Sequence, residues 1–153
     1  MKINSSFNVD APPDKVFAYL LDVNKVVSCV PGAELTAVVD SKTFKGKMKM
    51  KLGAVQLTYQ GTATILNTEE RPGGVTITME AKGSEIKGQG TARALVGLTI
   101  AQGAGGGSVV TIDTDLSISG KAAQFGRGLI DDVSATMVDQ MSQCISANLR
   151  NLR

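Results

Sequence analysis

Two hydrophobic periods divide the chain. From Ala33 to Ser119 apolar residues recur mostly at every second position, and from about Gln124 to Arg150 they recur at steps of three and four. The second pattern is one face of an α-helix, made by Leu129, Ile130, Val133, Met137, Val138, Met141, Ile145 and Leu149. Asp131, Asp132, Asp139, Gln140, Gln143, Asn148 and Arg150 fall on the other face. Apart from Arg127, acids stand near the start and an arginine near the end, the order a helix dipole favours. With a rise of 1.5 Å per residue the helix is roughly 40 Å long, and its apolar face needs a broad apolar surface to lie on.

The rest of the chain reads as the construction of that surface. Ile3, Ser5, Phe7 and Val9 alternate with polar residues as a first strand. Asp10-Ala11-Pro12-Pro13-Asp14 ends it and opens a helix that buries Val16, Phe17, Leu20 and Leu21. A second short helix runs from Val23 to about Ser28 and stops before the turn pair Pro31-Gly32. Strands then follow one another. Phe44, Met48, Met50 and Leu52 share a face opposite Lys45, Lys47, Lys49 and Lys51. Val55, Leu57, Tyr59, Gly61, Ala63 and Ile65 form the next inward row, and Val75, Ile77, Met79 and Ala81 follow after Arg71-Pro72-Gly73-Gly74. Gly88, Gly90, Ala92, Ala94, Val96 and Leu98 come next; a flexible AQGAGGGS turn leads to Val110, Ile112, Leu116 and Ile118. Such clean alternation belongs to an antiparallel sheet with one solvated face. The expected fold is one α+β helix-grip domain over residues 1–153. About six to seven antiparallel strands wrap the long C-terminal helix, with two short helices after the first strand.

Where helix meets sheet, Gly61, Ala63, Ala81, Gly90, Ala92 and Ala94 are all small. Small residues there either let the helix approach closely or leave a void, and close-packed interiors keep voids only when something fills them. The chain has no Trp, four Phe, two Tyr and 17 Gly, so large core fillers are scarce. This favours an apolar pocket, whose candidate ligand-binding residues are Met48, Met50, Leu57, Tyr59, Ile77, Met79, Ala92, Ala94, Val133, Met137 and Met141. The methionines are also simple core fillers, and their flexibility suits a pocket that adapts to a long ligand. Tyr59 is either a core tyrosine or a hydrogen-bond donor to a ligand carbonyl, with Ser5 and Thr114 as weaker polar handles.

Charge and chemistry narrow the function. A net charge of +2 exerts no general pull on nucleic acid. No histidine is present, and the inward lists hold no Asp, Glu or Lys, so general acid–base catalysis lacks its usual groups. No catalytic metal spacing is found, and the glycines of AQGAGGGS lack the strand-to-helix context of a dinucleotide loop. The lysine row is either a solvated, aggregation-resistant face or a dock for an acidic partner or anionic headgroups. Cys29 and Cys144 lie far apart and are expected as free, small buried residues in a reducing compartment. MKINSSFNVDAPP lacks the apolar run of a signal peptide, and no stretch of about 18 apolar residues occurs, so the expected location is cytoplasmic.

The segments FNVDAPPDKVFAYLLDV (Phe7–Val23), SCVPGAE (Ser28–Glu34) and ISGKAAQFGRGLI (Ile118–Ile130), with the strand order between them, carry a family likeness. They resemble the family of the carbon monoxide dehydrogenase G subunit, within the START-like helix-grip superfamily. The likeness spans essentially the whole chain, although Phe17 stands where similar sequences often carry Trp. Members often continue into a tail thought to engage the membrane; this chain stops at Arg153. The resemblance implies a non-catalytic accessory protein serving a molybdenum-containing CO dehydrogenase or related hydroxylase. It would need no cofactor, would touch the inner face of the cell membrane peripherally, and would handle a lipid-like ligand. A quinone or other isoprenoid lipid is a sensible ligand for an aliphatic pocket. A docking adaptor without ligand, and a helix-grip enzyme acting on an apolar substrate, are the alternatives.

Overall fold

The computed structural model describes Met1 to Asn151. Its order is β1 (Lys2–Val9), α1 (Pro13–Leu20), α2 (Val23–Cys29), β2 (Ala33–Val38), β3 (Thr43–Leu52), β4 (Val55–Arg71), β5 (Gly74–Glu85), β6 (Thr91–Gln102), β7 (Ser108–Ile118) and α3 (Arg127–Asn151). These strands make one seven-stranded antiparallel sheet in the order β1-β7-β6-β5-β4-β3-β2. The fold is the α+β helix-grip arrangement expected from the two periods.

Local chemistry sets the joints. Pro13 occupies the first turn of α1, where a missing N–H costs nothing, and the Asp22 carboxylate accepts from the Lys25 N–H to start α2. The Pro31-Gly32 turn lies against β3, where the Lys49 N–H donates to the Gly32 carbonyl at 2.9 Å. Gly32 has a φ of +81°, and a Cβ on it would meet the Lys49 carbonyl oxygen at 2.2 Å, so only glycine fits. Two boundaries differ from expectation. Gly88 and Gly90 belong to the turn before β6, at φ of +80° and +129°, and not to its inward face. Gln124 closes a short 3-10 turn (Gly120–Gln124), and α3 begins only after the extended residue Phe125.

Helix α3 makes its closest backbone approaches to β1, β3 and α2, so it bridges the two flanks of the curved sheet. Two separate cores form beneath it. Around its C-terminal half, Ile145 and Leu149 pack with Val9, Val16, Tyr19, Ile77, Ile100 and Val110, with Ile65, Leu98 and Ile112 alongside. Around its N-terminal half, Leu129 and Val133 pack with Leu52, Leu57, Tyr59 and Ala122, joined by Ala92 and Ile118.

The C-terminal half is also tied covalently. Cys29 and Cys144, expected as free thiols, are joined by a disulfide that links α2 to α3 across 115 residues. The short helices fold back against α3, which brings the two sulfurs together and removes the argument for a reducing compartment. Asn148, expected on the polar face, instead turns toward this bond: its amide donates to the Tyr19 hydroxyl at 2.8 Å and lies 3.4 Å from the Cys29 sulfur. Reduction, or Cys29→Ser with Cys144→Ser, is expected to lower stability by about 2–4 kcal/mol through the freed unfolded chain. Denaturant melts with and without dithiol check this; superimposable curves would show that the link adds nothing.

Candidate functional site

The strand registers gather the small residues into rows. Gly46 pairs with Gly61, Gly61 with Gly83, and Gly83 with Ala92. The neighbouring row runs Phe44, Ala63, Ala81, Ala94, Leu116. Gly61 is sterically required, because a Cβ there would stand 1.8 Å from the Lys82 carbonyl oxygen. Adjacent inner-face rows are larger: Ile65, Met79 and Val96 on one side, and Met48 with Tyr59 on the other. A floor nearly free of side chains therefore crosses β3 to β6 between the two cores.

The expected ligand-binding residues sort themselves around this floor. Met48, Met50, Met79, Ala92 and Ala94 are half-buried on the inner face, and Val133, Met137 and Met141 are half-buried on successive turns of α3. Leu57 and Ile77 are 0% and 2% exposed inside the two cores, so they support the walls and do not line open space. The middle of α3 is flanked on both sides. A groove of about 250 Å³ separates it from β3, lined by Lys51, Asp132, Val133, Thr136 and Met137. Another of about 280 Å³ separates it from β1, lined by Ser5, Ser6, Phe7, Ala135, Val138, Asp139 and Ser142. Each lies at or below the low end of ligand pockets, about 300–1,000 Å³, so a long ligand needs α3 to swing outward.

Tyr59 is 7% exposed, and its hydroxyl is a buried polar atom with no hydrogen-bond partner among the described residues. Such a group carries a desolvation penalty that a hydrogen-bonding ligand would relieve. Burial pushes the Tyr59 phenol above its ordinary value, and the negative charge of Glu85 adds to this. The ring thus stays a neutral donor. Glu85 corrects the expectation of an inner face without acids: it pairs in register with Tyr59 and is 5% exposed. Its carboxylate accepts from the Thr58 N–H at 2.9 Å and the Lys87 N–H at 2.7 Å, where β5 ends. The Thr58 N–H leads in holding Glu85 below the usual glutamate value, against the opposing effect of burial. The alternation of β5 runs on past Ala81 through Gly83 to Glu85, so the signal for an inward Glu85 is the parity of the strand itself. Among the described residues no three His, Cys, Asp or Glu side chains gather into a metal site.

A family model for CoxG, the G subunit of carbon monoxide dehydrogenase, matches residues 5–150. The chain belongs to the CoxG family. No curated protein matches this CoxG-family chain in sequence. Among solved structures it is similar to a conserved protein from Geobacillus kaustophilus, with a TM-score of 0.81 at 16% identity over 99% of this chain and 96% of that one. It is also similar to a START superfamily protein from Mycobacterium smegmatis (TM-score 0.63, 7% identity, 99% of each chain). The ZhuI aromatase/cyclase from Streptomyces sp. R1128 gives a TM-score of 0.63 at 14% identity, over 100% of this chain and 96% of that one. At these identities the likenesses establish the fold. Among the described residues, no helix of this CoxG-family chain is long and apolar enough to cross a membrane.

Because the folded state holds Glu85 below its ordinary value of 4.5, its stabilisation is present above that value and is lost as pH falls below it through the lowered folded-state value. Glu85→Gln is expected to melt at lower temperature at pH 7 and to lose less stability than the wild type between roughly pH 5 and 3. Parallel pH–stability profiles for the two proteins would contradict the assignment.

Proposed function

We propose that this CoxG-family chain is a non-catalytic accessory protein that binds an apolar, lipid-like ligand between the glycine–alanine floor and α3. It thereby serves a molybdenum-containing CO dehydrogenase or related hydroxylase at the membrane. The observation that carries the reading is the register that sets Gly61, Gly83, Ala63, Ala81, Ala92 and Ala94 side by side below the half-buried Met137 and Met141. A quinone, or another isoprenoid lipid with a carbonyl head, matches this interior. Its tail would lie along methionines that re-pack at little cost, and its carbonyl would accept from the Tyr59 hydroxyl. Such a molecule is poorly soluble in water, so an enzyme outside the bilayer needs a protein to present it.

The Streptomyces neighbour is titled an aromatase/cyclase, and one fold hosts many functions. A catalytic reading fits less well. The buried inner acid, Glu85, is held by backbone N–H groups, and Tyr59 is displaced away from acting as a base. A docking adaptor without ligand is the alternative, favoured by the small size of the grooves beside α3, about 250 and 280 Å³.

The test is native mass spectrometry of the purified protein, followed by organic extraction and titration with a short-chain quinone. A bound quinone or isoprenoid supports the carrier, whereas a clean apo mass with no shift on adding quinone favours the adaptor. Ala94→Phe, which fills the floor, should abolish uptake while leaving the fold intact by circular dichroism. Tyr59→Phe should weaken quinone binding by about 5–20-fold at equal or higher stability, because it removes a buried unpaired hydroxyl. Full binding by both variants would place the ligand elsewhere.

A further inference from the structure

The outer face of β3 carries a feature that ligand binding does not use. Lys45, Lys47, Lys49 and Lys51 project from alternate positions, and among the described residues none of them makes an ion pair. Glu34 lies opposite Lys47 in the β2 register without bridging it, and the nearby Glu80 is engaged by Lys82 at 3.3 Å and by Arg93 at 2.9 Å. One end of the row reaches the β2–β3 turn, where Val38 and Val39 are 53% and 54% exposed beside Lys42. Leu66, 51% exposed, stands next to it, since the Ile65 N–H donates to the Lys42 carbonyl. At the other end, Lys51 lines the groove between β3 and α3 with Val133 and Met137.

We infer that this strip, about 30 Å long from Lys42 to Lys51, docks the protein on an anionic lipid surface and sets the β3–α3 groove against the bilayer. Charge complementarity selects an anionic occupant. The composition then selects lipid over protein: the row is all lysine, a hydrated point charge on a flexible stem, whereas protein interfaces favour arginine and deplete lysine. Exposed aliphatics among cations at the turn suit the headgroup–acyl boundary. The row needs no ligand in order to bind, but the use of its orientation rests on the carrier reading. A groove mouth held at the membrane is where an apolar molecule enters without crossing water.

The experiment is flotation of the full chain with vesicles of phosphatidylcholine alone, and with vesicles containing about 30% phosphatidylglycerol. Binding is expected only to the anionic vesicles and should be lost at about 0.5 M salt. Each Lys→Gln change should lower the partition by about fivefold, so the quadruple variant of Lys45, Lys47, Lys49 and Lys51 should not float. Val38→Ser with Val39→Ser should weaken binding several-fold. Equal binding to neutral vesicles, flotation of the quadruple variant, or salt-sensitive capture by a purified CO dehydrogenase with no vesicle binding would overturn the inference. Uptake of a short-chain quinone from solution should be unchanged when only Lys45, Lys47 and Lys49, which stand outside the β3–α3 groove, are changed to Gln; its loss there would also overturn the inference. A wild type that floats on anionic vesicles yet takes up no quinone would sink the carrier reading alone.

Discussion

Helix α3 is fixed at its two ends and left lightly supported between them, and the rest of the structure follows from that. At its C-terminal end Ile145 and Leu149 are sealed in a core, Asn148 donates to Tyr19, and Cys144 is bonded to Cys29 on α2. At its N-terminal end Leu129 and Ile130 are packed, while Arg127 reaches the Lys2 carbonyl of β1 and lies 3.4 Å from Asp131. Between these anchors the helix spans a floor that offers it almost no side chains. Interiors elsewhere are packed to crystal density, so a stretch relieved of packing on both flanks is the part that moves most cheaply.

The sheet achieves this with backbone alone. Gly61 cannot be any other residue because the β4 and β5 chains press together there, and Gly46 likewise faces the Glu34 carbonyl oxygen at a distance a Cβ would cut to 2.6 Å. Glycine and alanine at these positions hold the strands close and present little side chain on the half-buried inner face. Chemistry is divided between the two faces. The inner face presents aliphatic and thioether groups, a phenol, and a carboxylate already satisfied by backbone N–H groups. Among the described residues, the outer face of β3 presents ammonium groups that make no ion pair. An apolar interior behind a basic exterior is the combination expected of a molecule that meets a charged surface and receives an uncharged ligand.

Much of this was legible in the sequence. The change from a two-residue to a 3.6-residue period announced a sheet followed by a long covering helix, and the small residues of the inward rows marked the floor. What sequence could not show was register. Nothing in the chain reveals that Gly61 meets both Gly46 and Gly83, and that alignment turns scattered small residues into a continuous surface. Pairing of Cys29 with Cys144 was equally hidden, since two cysteines 115 residues apart say nothing of which helices will touch. Helical periodicity misplaced Asn148, because a polar side chain at the edge of the apolar stripe turns inward when a buried hydroxyl and a disulfide wait there for its N–H groups.

The methionines permit the most direct examination of the central claim. The chain has six, and all but Met1 stand at the floor, its rim or the overlying helix. Methyl-labelled methionine spectra recorded while a short-chain quinone is added would report each position at once. The account predicts that Met79, Met137 and Met141 shift together and saturate with the ligand, that Met48 and Met50 follow less strongly, and that Met1 stays still. Shifts confined to Met1, or no shift up to the solubility limit of the quinone, would contradict a ligand site between α3 and the sheet.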